Sequence, residues 1–242
     1  MAVKHKGHFG IGVILGLSFL VTLVLIFSPI FPKAPDGKPQ NGLEYADEMF
    51  NKLSKGSSYF IPKLTESNKE FAGKMFSVSI KMDSPEDAKK VAKLFTAAGA
   101  KVDIKDSELK IEGNLGKTLE AVLKDADAMY YNEGAKVSGM YGYDEKEVLK
   151  NWWAALGKID KEFKKEKKIR ESEIVSDVSK KAVETAYNYY GIAPESVKER
   201  AGLMSGLLVF YIVYTMWWGF AIFYLFEGLG LSMKKAKVRK EV

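Results

Sequence analysis

The sequence lacks cysteine entirely and has only two histidines among its 242 residues. The absence of cysteine excludes disulfides, cysteine-ligated zinc, iron–sulfur clusters and thioether-linked haem. Both histidines, His5 and His8, stand within the first ten residues. The remainder of the chain therefore has no imidazole to ligate a metal or to act as a general base. We expect no metal site and no cofactor.

Charge of either sign is missing from two long stretches. Phe9–Phe31 contains 23 consecutive uncharged residues and Leu203–Phe226 contains 24. Because a helix rises about 1.5 Å per residue, each stretch can cross a hydrocarbon core of about 30 Å. The sequence predicts two transmembrane helices. The first exceeds the apolar segment of an ordinary signal peptide, and Ala34 followed by Pro35 makes a poor cleavage site, which favours an uncleaved signal anchor.

The distribution of basic residues indicates the topology. The formal net charge is +6, whereas residues 32–200 hold 30 basic and 29 acidic side chains. Basic flanks favour the cytoplasmic side, so we expect both termini in the cytoplasm and the centre in the periplasm of a bacterial inner membrane. The near-neutral centre argues against nucleic-acid binding. The C-terminal cluster, a candidate for topology and for lipid-headgroup contact, comprises Lys234, Lys235, Lys237, Arg239 and Lys240.

The central residues carry both strand and helix patterns. Residues 76–82 alternate apolar and polar side chains, which predicts a strand. Residues 84–87 (Ser-Pro-Glu-Asp) are typical of a helix start, and two more strands and a helix follow. This β-α-β-β-α order predicts a small α+β sandwich with helices on one face of an antiparallel-type sheet. A ferredoxin-like arrangement needs one more strand, for which residues 135–143 are the candidate.

The predicted organisation is an α+β membrane protein whose extracytoplasmic domain lies between two transmembrane helices. Apolar positions at helical spacing after residue 143 predict a long helical stalk. The predicted segments are a cytoplasmic tail (1–8), transmembrane helix 1 (9–31), a linker (32–41), the α+β domain (42–143), the stalk (144–192), a juxtamembrane helix start (193–202), transmembrane helix 2 (203–231) and a basic cytoplasmic tail (232–242).

One segment has part of a phosphate-loop pattern. Gly113–Thr118 (GNLGKT) stands between a predicted strand and a predicted helix. The full pattern needs its first glycine at position 111, which is Ile. We interpret the segment as an ordinary strand–helix junction. Since the acidic residues form no distinctive pair and a serine nucleophile would lack a histidine, we expect no enzymatic activity.

Small residues recur at helix-packing spacing in both apolar stretches. Gly12 and Gly16 form a GxxxG pattern in the first. Gly202, Ser205 and Gly206 form a similar set at the start of the second. Such spacing lets helix backbones approach closely. Because antiparallel helices would place the two sets at opposite ends, we expect them to pack against helices of other proteins.

The second apolar stretch also holds polar-tipped aromatic residues near its middle. The hydroxyl of Tyr214 and the indole N–H groups of Trp217 and Trp218 need hydrogen-bond partners there. This favours contact with another membrane protein, a polar lipid or a quinone head over plain lipid. Glu227 would be an intramembrane carboxylate if the helix continued to Leu231, although an interfacial position is favoured.

These features favour a structural role. We expect a non-catalytic accessory or scaffold subunit of a cytoplasmic-membrane complex, of transport or respiratory type, which docks through its two helices and its external domain. The expected partners are larger integral membrane proteins and membrane lipid, with a second copy of the chain as a further candidate. The alternative is an extracytoplasmic ligand-sensing or binding module, although the short tails leave no room for an output domain.

Overall fold

A computed structural model describes residues 3–231. The chain divides into two compact units, Met1–Phe50 with Ser196–Val242 and Asn51–Glu195. We call the first the helix-pair unit and the second the central unit, and each is described by itself. The helices are α1 (Lys6–Phe27), α2 (Gly42–Ser57), α3 (Ile61–Asn68), α4 (Pro85–Ala97), α5 (Leu115–Tyr130), α6 (Gly134–Tyr141), α7 (Glu145–Lys165), α8 (Ile169–Val178), α9 (Glu184–Asn188) and α10 (Val197–Gly228); the strands are β1 (Met75–Lys81), β2 (Lys101–Lys105) and β3 (Glu108–Asn114).

The helix-pair unit contains α1 and α10, which pack against each other. Both are long and apolar enough to cross a membrane. Helix α1 ends at Phe27 rather than at residue 31, because Pro29 has no amide hydrogen and disfavours a helical conformation at Ser28. Helix α10 runs unbroken from Val197 and ends at Gly228, three residues before the predicted end. The two predicted apolar helices are therefore present, with shorter C-terminal ends.

The central unit is built on a three-stranded antiparallel sheet in the order β1-β3-β2. In β1, Phe76, Val78 and Ile80 are buried and the residues between them are exposed, as the alternating pattern predicts. The next helix, α4, begins as expected, since the Ser84 hydroxyl oxygen accepts a hydrogen bond from the Asp87 amide at 3.0 Å. The predicted β-α-β-β-α order is confirmed.

The expected fourth strand is wrong. Residues 134–141 form helix α6, which buries Val137 and Tyr141 on one face. Together with the buried Gly134 they recur at spacings of three and four residues, and Gly139 between them is exposed, which suits a helix and not an alternating strand. Gly142 ends the helix in a left-handed conformation with φ of 75°. Residues 3–231 consequently contain no complete ferredoxin-like sheet.

The expected stalk is also wrong. Helices α7, α8 and α9 belong to the same hydrophobic core as the sheet, and this core includes Trp152, Phe163 and Val178. The chain reverses between α7 and α8, where Lys167 has a φ of 58°. Folding back buries the apolar faces of α7 and α8, which a stalk would leave in water. A π-helical turn, Ser179–Val183, then connects α8 to α9.

Candidate functional site in the helix pair

Helices α1 and α10 approach closely at two glycines. A Cβ atom at Gly12 would lie 2.6 Å from the backbone nitrogen of Leu225. A Cβ atom at Gly228 would lie 2.6 Å from Cα of Phe9. Real Cβ atoms do not tolerate such distances, so the absence of side chains here permits the contact. Gly12 therefore packs against a helix of its own chain and not, as expected, against a helix of another protein.

The other predicted small residues face open space. No non-neighbouring atom of residues 3–231 lies within 4 Å of a Cβ position at Gly16, Gly202 or Gly206. Ser205, between the last two, is exposed. We call Gly202, Ser205 and Gly206 the small-residue face of α10. Their contact with helices of other proteins stays a prediction.

The aromatic residues near the middle of α10 make some of their contacts within the helix-pair unit. Trp217 donates a hydrogen bond from its indole nitrogen to the carbonyl of Leu15, at 3.1 Å. The Phe19 ring stacks on Tyr214 with a centroid distance of 4.2 Å and lies 4.6 Å from the Trp218 ring. The indole of Trp217 is thus satisfied by α1, whereas Trp218 stays exposed.

Two buried polar atoms in α10 lack hydrogen-bond partners within residues 3–231. The Tyr214 hydroxyl is buried without a hydrogen bond, and so is one carboxylate oxygen of Glu227, Oε1. Glu227 stands in the last turn of α10, beside Gly228, whose carbonyl accepts hydrogen bonds from the amides of Lys4 and His5 at 3.0 Å each.

The predicted basic cluster lies outside the described residues; it consists of Lys234, Lys235, Lys237, Arg239 and Lys240.

The N-terminal histidines lie near the end of α10. The His8 ring is 5.8 Å from the ring of Tyr224, and His5 is 6.0 Å from His8. Across residues 3–231, no group of three or more His, Cys, Asp or Glu side chains is placed to hold a metal ion. The two histidines therefore remain a pair of ring contacts beside α10.

The most prominent feature of the helix-pair unit is an apolar cavity of about 690 Å³. Helices α1 and α10 form its sides, and the N-terminal half of α2 contributes the apolar face of an amphipathic helix. Its volume falls in the range of about 300–1,000 Å³ that is typical of small-molecule sites. The lining residues are Thr22, Leu25, Ile26, Phe31, Gly42, Leu43, Ala46, Phe50, Leu207, Leu208, Phe210, Tyr211 and Tyr214.

Some of these lining residues are recognisable from sequence patterns, but the cavity itself is not. Leu43, Ala46 and Phe50 recur at helical spacing, so the apolar face of α2 is visible in the sequence. The hydroxyl of Tyr214 near the middle of an apolar stretch is also recognisable in the sequence. Nothing local, however, shows that α2 lines the same cavity as α10, because the two helices are far apart in the chain.

In the central unit, the Gly113–Thr118 segment is a strand–helix junction, as interpreted. Strand β3 ends at Asn114, whose side-chain oxygen accepts a hydrogen bond from the Lys117 amide at 3.0 Å. The Leu115 amide donates to the carbonyl of Lys74 at 2.8 Å, and a Cβ atom at Gly116 would lie 2.8 Å from the Phe71 carbonyl oxygen. Backbone groups that would cradle a phosphate are thus used in packing the junction.

Asp125 is a buried carboxylate in the core of the central unit. Its Oδ2 atom accepts hydrogen bonds from the Tyr141 hydroxyl and from the Trp152 indole nitrogen, each at 2.7 Å. Burial raises the pKa of this carboxyl above its ordinary value of 3.8, and the two hydrogen bonds oppose that effect only in part. This centre cannot be recognised from the sequence, because its three members lie on three different helices.

The raised pKa of Asp125 predicts a pH dependence of stability. The folded state binds the proton more tightly than the unfolded state, so this stabilisation is complete below pH 3.8 and is lost as pH rises through the folded-state pKa. Tyr141→Phe removes one donor to the charged form and should raise the pKa further, deepening the loss. Carboxyl ¹³C NMR and denaturant unfolding across this pH range measure both effects. A wild-type midpoint at or below 3.8 would contradict this prediction.

Lys55 is a fully buried cation at the end of α2, within the central unit. Its ammonium donates hydrogen bonds to the carbonyls of Tyr189 at 3.0 Å and Ile192 at 2.5 Å, and to the Asn132 side-chain oxygen at 3.2 Å. It also lies 5.0 Å from the centre of the Tyr130 ring. Burial lowers the pKa of the Lys55 amine. The arrangement fixes the end of α2 to the segment after α9, which is a structural role.

A scan against protein-family models, a search of curated proteins and a search of solved structures each found no match to this chain.

Proposed function

We propose that the chain is a non-catalytic accessory or scaffold subunit of a cytoplasmic-membrane protein complex, of transport or respiratory type. Both termini lie in the cytoplasm and the central unit lies outside, in the periplasm of a bacterium. The observation that carries the proposal is the small-residue face of α10, whose Gly202 and Gly206 no other part of residues 3–231 covers after α1 has packed against α10.

The small-residue face suits contact with another membrane helix. In lipid, apolar side chains gain little by leaving one apolar surrounding for another, so helices associate where backbones can approach closely. Gly12 shows how such a site is used within this chain. Gly202 and Gly206 have the same four-residue spacing as Gly12 and Gly16, and within the described part of the chain no side chain or other helix approaches them. A helix of a partner protein is the natural occupant.

The central unit offers a second candidate contact surface. Trp153 and Tyr187, on α7 and α9, are 52% and 41% exposed. They line a groove of about 300 Å³ together with Lys150 and Glu184. Aromatic residues are enriched at protein–protein interfaces, where they contribute large contact areas. This groove supports docking through the central unit as well as through the helices.

Purification in mild detergent tests the proposal. The affinity-tagged chain should retain a larger membrane protein, and Gly206→Leu should reduce the retained amount by about tenfold, since overpacking a helix contact costs about 1–3 kcal/mol. Gly219→Leu is the matched control, because Gly219 is equally open but about 220° around α10 from Gly206. A chain that purifies alone, or equal losses in both variants, would contradict the proposal.

The second candidate function is a ligand-binding module. A groove of about 790 Å³ lies between α3 and α5 in the central unit, and Asn68, which lines it, has a buried side-chain oxygen without a hydrogen bond in the described part of the chain. A thermal-shift screen of the full chain with small polar molecules tests this alternative. A compound whose stabilising effect disappears in Asn68→Leu would favour it over the scaffold.

A further inference from the structure

Strand β1 is one edge of the sheet in the central unit, and no strand lies beyond it within residues 3–231. The Met82 amide donates a hydrogen bond to the carbonyl of Ser107, just before β3, at 2.8 Å. Because bonding alternates along antiparallel strands, the even-numbered residues of β1 bond β3 and the odd-numbered residues direct their backbone groups outward. In the described part of the chain these outward groups make no hydrogen bond; they belong to Met75, Ser77, Ser79 and Lys81.

The β1 edge lacks the features that prevent edge strands from pairing with other chains. Natural edge strands are commonly short, charged, or interrupted by a proline or a bulge. Strand β1 has seven residues, its residues 75–80 carry no charge, and its register with β3 is continuous. The opposite edge, β2, has five residues, of which Lys101, Asp103 and Lys105 are charged. An added strand is therefore expected at β1 and not at β2.

A strand can be added at β1 without any change in the core. Phe76, Val78 and Ile80 point into the core and are each at most 5% exposed. Ser77 and Ser79 lie on the opposite, solvent-exposed face of the sheet. An added strand would meet free backbone groups flanked by two small hydroxyl side chains. Backbone hydrogen bonds of this kind are the basis of recognition by strand addition.

The sequence of β1 is complementary to itself about Val78. If two copies pair in antiparallel orientation about this residue, Ser77 of one copy lies opposite Ser79 of the other, and Met75 lies opposite Lys81. Hydroxyl pairs across strands are favourable, and this register opposes no like charges. All seven residues of the strand overlap, and the outward backbone groups of the two copies face each other.

The β2 edge has no equivalent register. Antiparallel pairing of two β2 strands about their centre would bring two Asp103 carboxylates opposite each other, which is unfavourable. Self-complementarity is thus specific to β1. It favours a second copy of the chain over a strand of unrelated sequence.

We propose that two copies of the chain associate through antiparallel pairing of their β1 strands about Val78. The two three-stranded sheets become one continuous sheet, held at its centre by about eight hydrogen bonds between the chains. The contact is two-fold symmetric and therefore closed. The only edges that remain on this sheet are the two charged β2 strands. This inference does not rest on the accessory-subunit function.

Cysteine cross-linking of the full chain in membranes tests the proposal, because the chain contains no native cysteine. Met75→Cys and Lys81→Cys chains with different tags are co-expressed and treated with a short thiol-to-thiol cross-linker. They should give a mixed dimer. Met75→Cys alone should give none, because its two thiols would lie six residues apart along the strands, about 20 Å. Both native side chains are exposed, so neither change disturbs the core.

A charge variant separates strand pairing from other causes of association. Ser77→Lys with Ser79→Lys places like charges opposite each other and should reduce the cross-linked yield about fivefold or more. Asp103→Lys adds the same charge at the β2 edge and should leave the yield unchanged. Circular dichroism checks that both variants are folded.

Three outcomes would overturn the proposal. The first is the absence of the mixed dimer, or a cross-link to a different protein in its place. The second is efficient cross-linking of Met75→Cys alone, which indicates another register or orientation. The third is an equal loss of yield in Asp103→Lys and in the double serine variant, which would show a response to net charge and not to the β1 edge.

Discussion

Trp152→Ala is expected to destabilise the central unit by about 4 kcal/mol, a large part of the 5–15 kcal/mol that is typical of a folded domain. Trp152 is fully buried, and its ring contacts Phe95 edge-on at 5.0 Å. Truncation to Ala leaves a cavity at the centre of the core and removes the indole donor from Asp125. That carboxylate would then keep only the hydrogen bond from Tyr141.

The neighbouring residue gives a matched control. Trp153 follows on the same helix but is 52% exposed, so Trp153→Ala should cost about 1 kcal/mol or less. Denaturant unfolding of the full chain in detergent, followed by circular dichroism, measures both variants. Losses of similar size in the two variants would show that the indole of Trp152 does not hold the core together.

Gly12→Leu is expected to have the largest effect on the helix pair. A Cβ atom alone would come within 2.6 Å of the Leu225 backbone nitrogen, so α1 and α10 must separate to admit a leucine. We expect at least a tenfold loss of close pairing, consistent with an overpacking cost of about 1–3 kcal/mol. Because this contact involves backbone atoms of α10, a change of rotamer cannot relieve it.

The absence of native cysteine makes this pairing measurable. The rings of Phe19 and Trp218 are 4.6 Å apart, so a Phe19→Cys, Trp218→Cys pair should react with a short thiol-to-thiol cross-linker in membranes. Gly12→Leu should reduce the cross-linked yield. Gly16→Leu should leave the yield unchanged, since Gly16 faces open space. Equal yields in all three backgrounds would show that Gly12 does not set the distance between the helices.

The sequence predicts elements whose signals are local. The alternation of Phe76, Val78 and Ile80 indicates a strand because each residue reports its own burial. The Ser84 cap of α4 depends only on residues within one helical turn of it. The two uncharged runs are recognisable as apolar helices by their length and composition. These features need no knowledge of distant residues.

The wrong predictions concern residues whose burial depends on distant partners. Tyr141 lies in a helix and donates its hydroxyl to Asp125, and nothing in residues 135–143 specifies that contact. The helices after residue 144 have apolar faces that suit a stalk pairing with another protein equally well. Only the core that contains Trp152 and Phe163 shows that these faces pack on the sheet of the same chain.

The candidate site likewise contains some features that the sequence predicts and others that depend on distant partners. The hydroxyl of Tyr214 is recognisable in the sequence because polar groups are uncommon in an apolar helix, and Gly12 is recognisable by its four-residue spacing to Gly16. Their partners are not recognisable. Gly12 meets Leu225, and Tyr214 shares a cavity with Ala46, because of how the chain folds between them.

The two ends of the central unit meet each other. The amide of Glu195 donates a hydrogen bond to the Lys52 carbonyl at 3.1 Å, and the ammonium of Lys55 holds the Ile192 carbonyl at 2.5 Å. A domain whose chain ends are adjacent can be inserted into a loop of another fold, or be circularly permuted, with little change to its interior. The central unit therefore has the anatomy of a module inserted between two helices. A short linker from residue 50 to residue 196 would remove it without having to span a large distance between its ends.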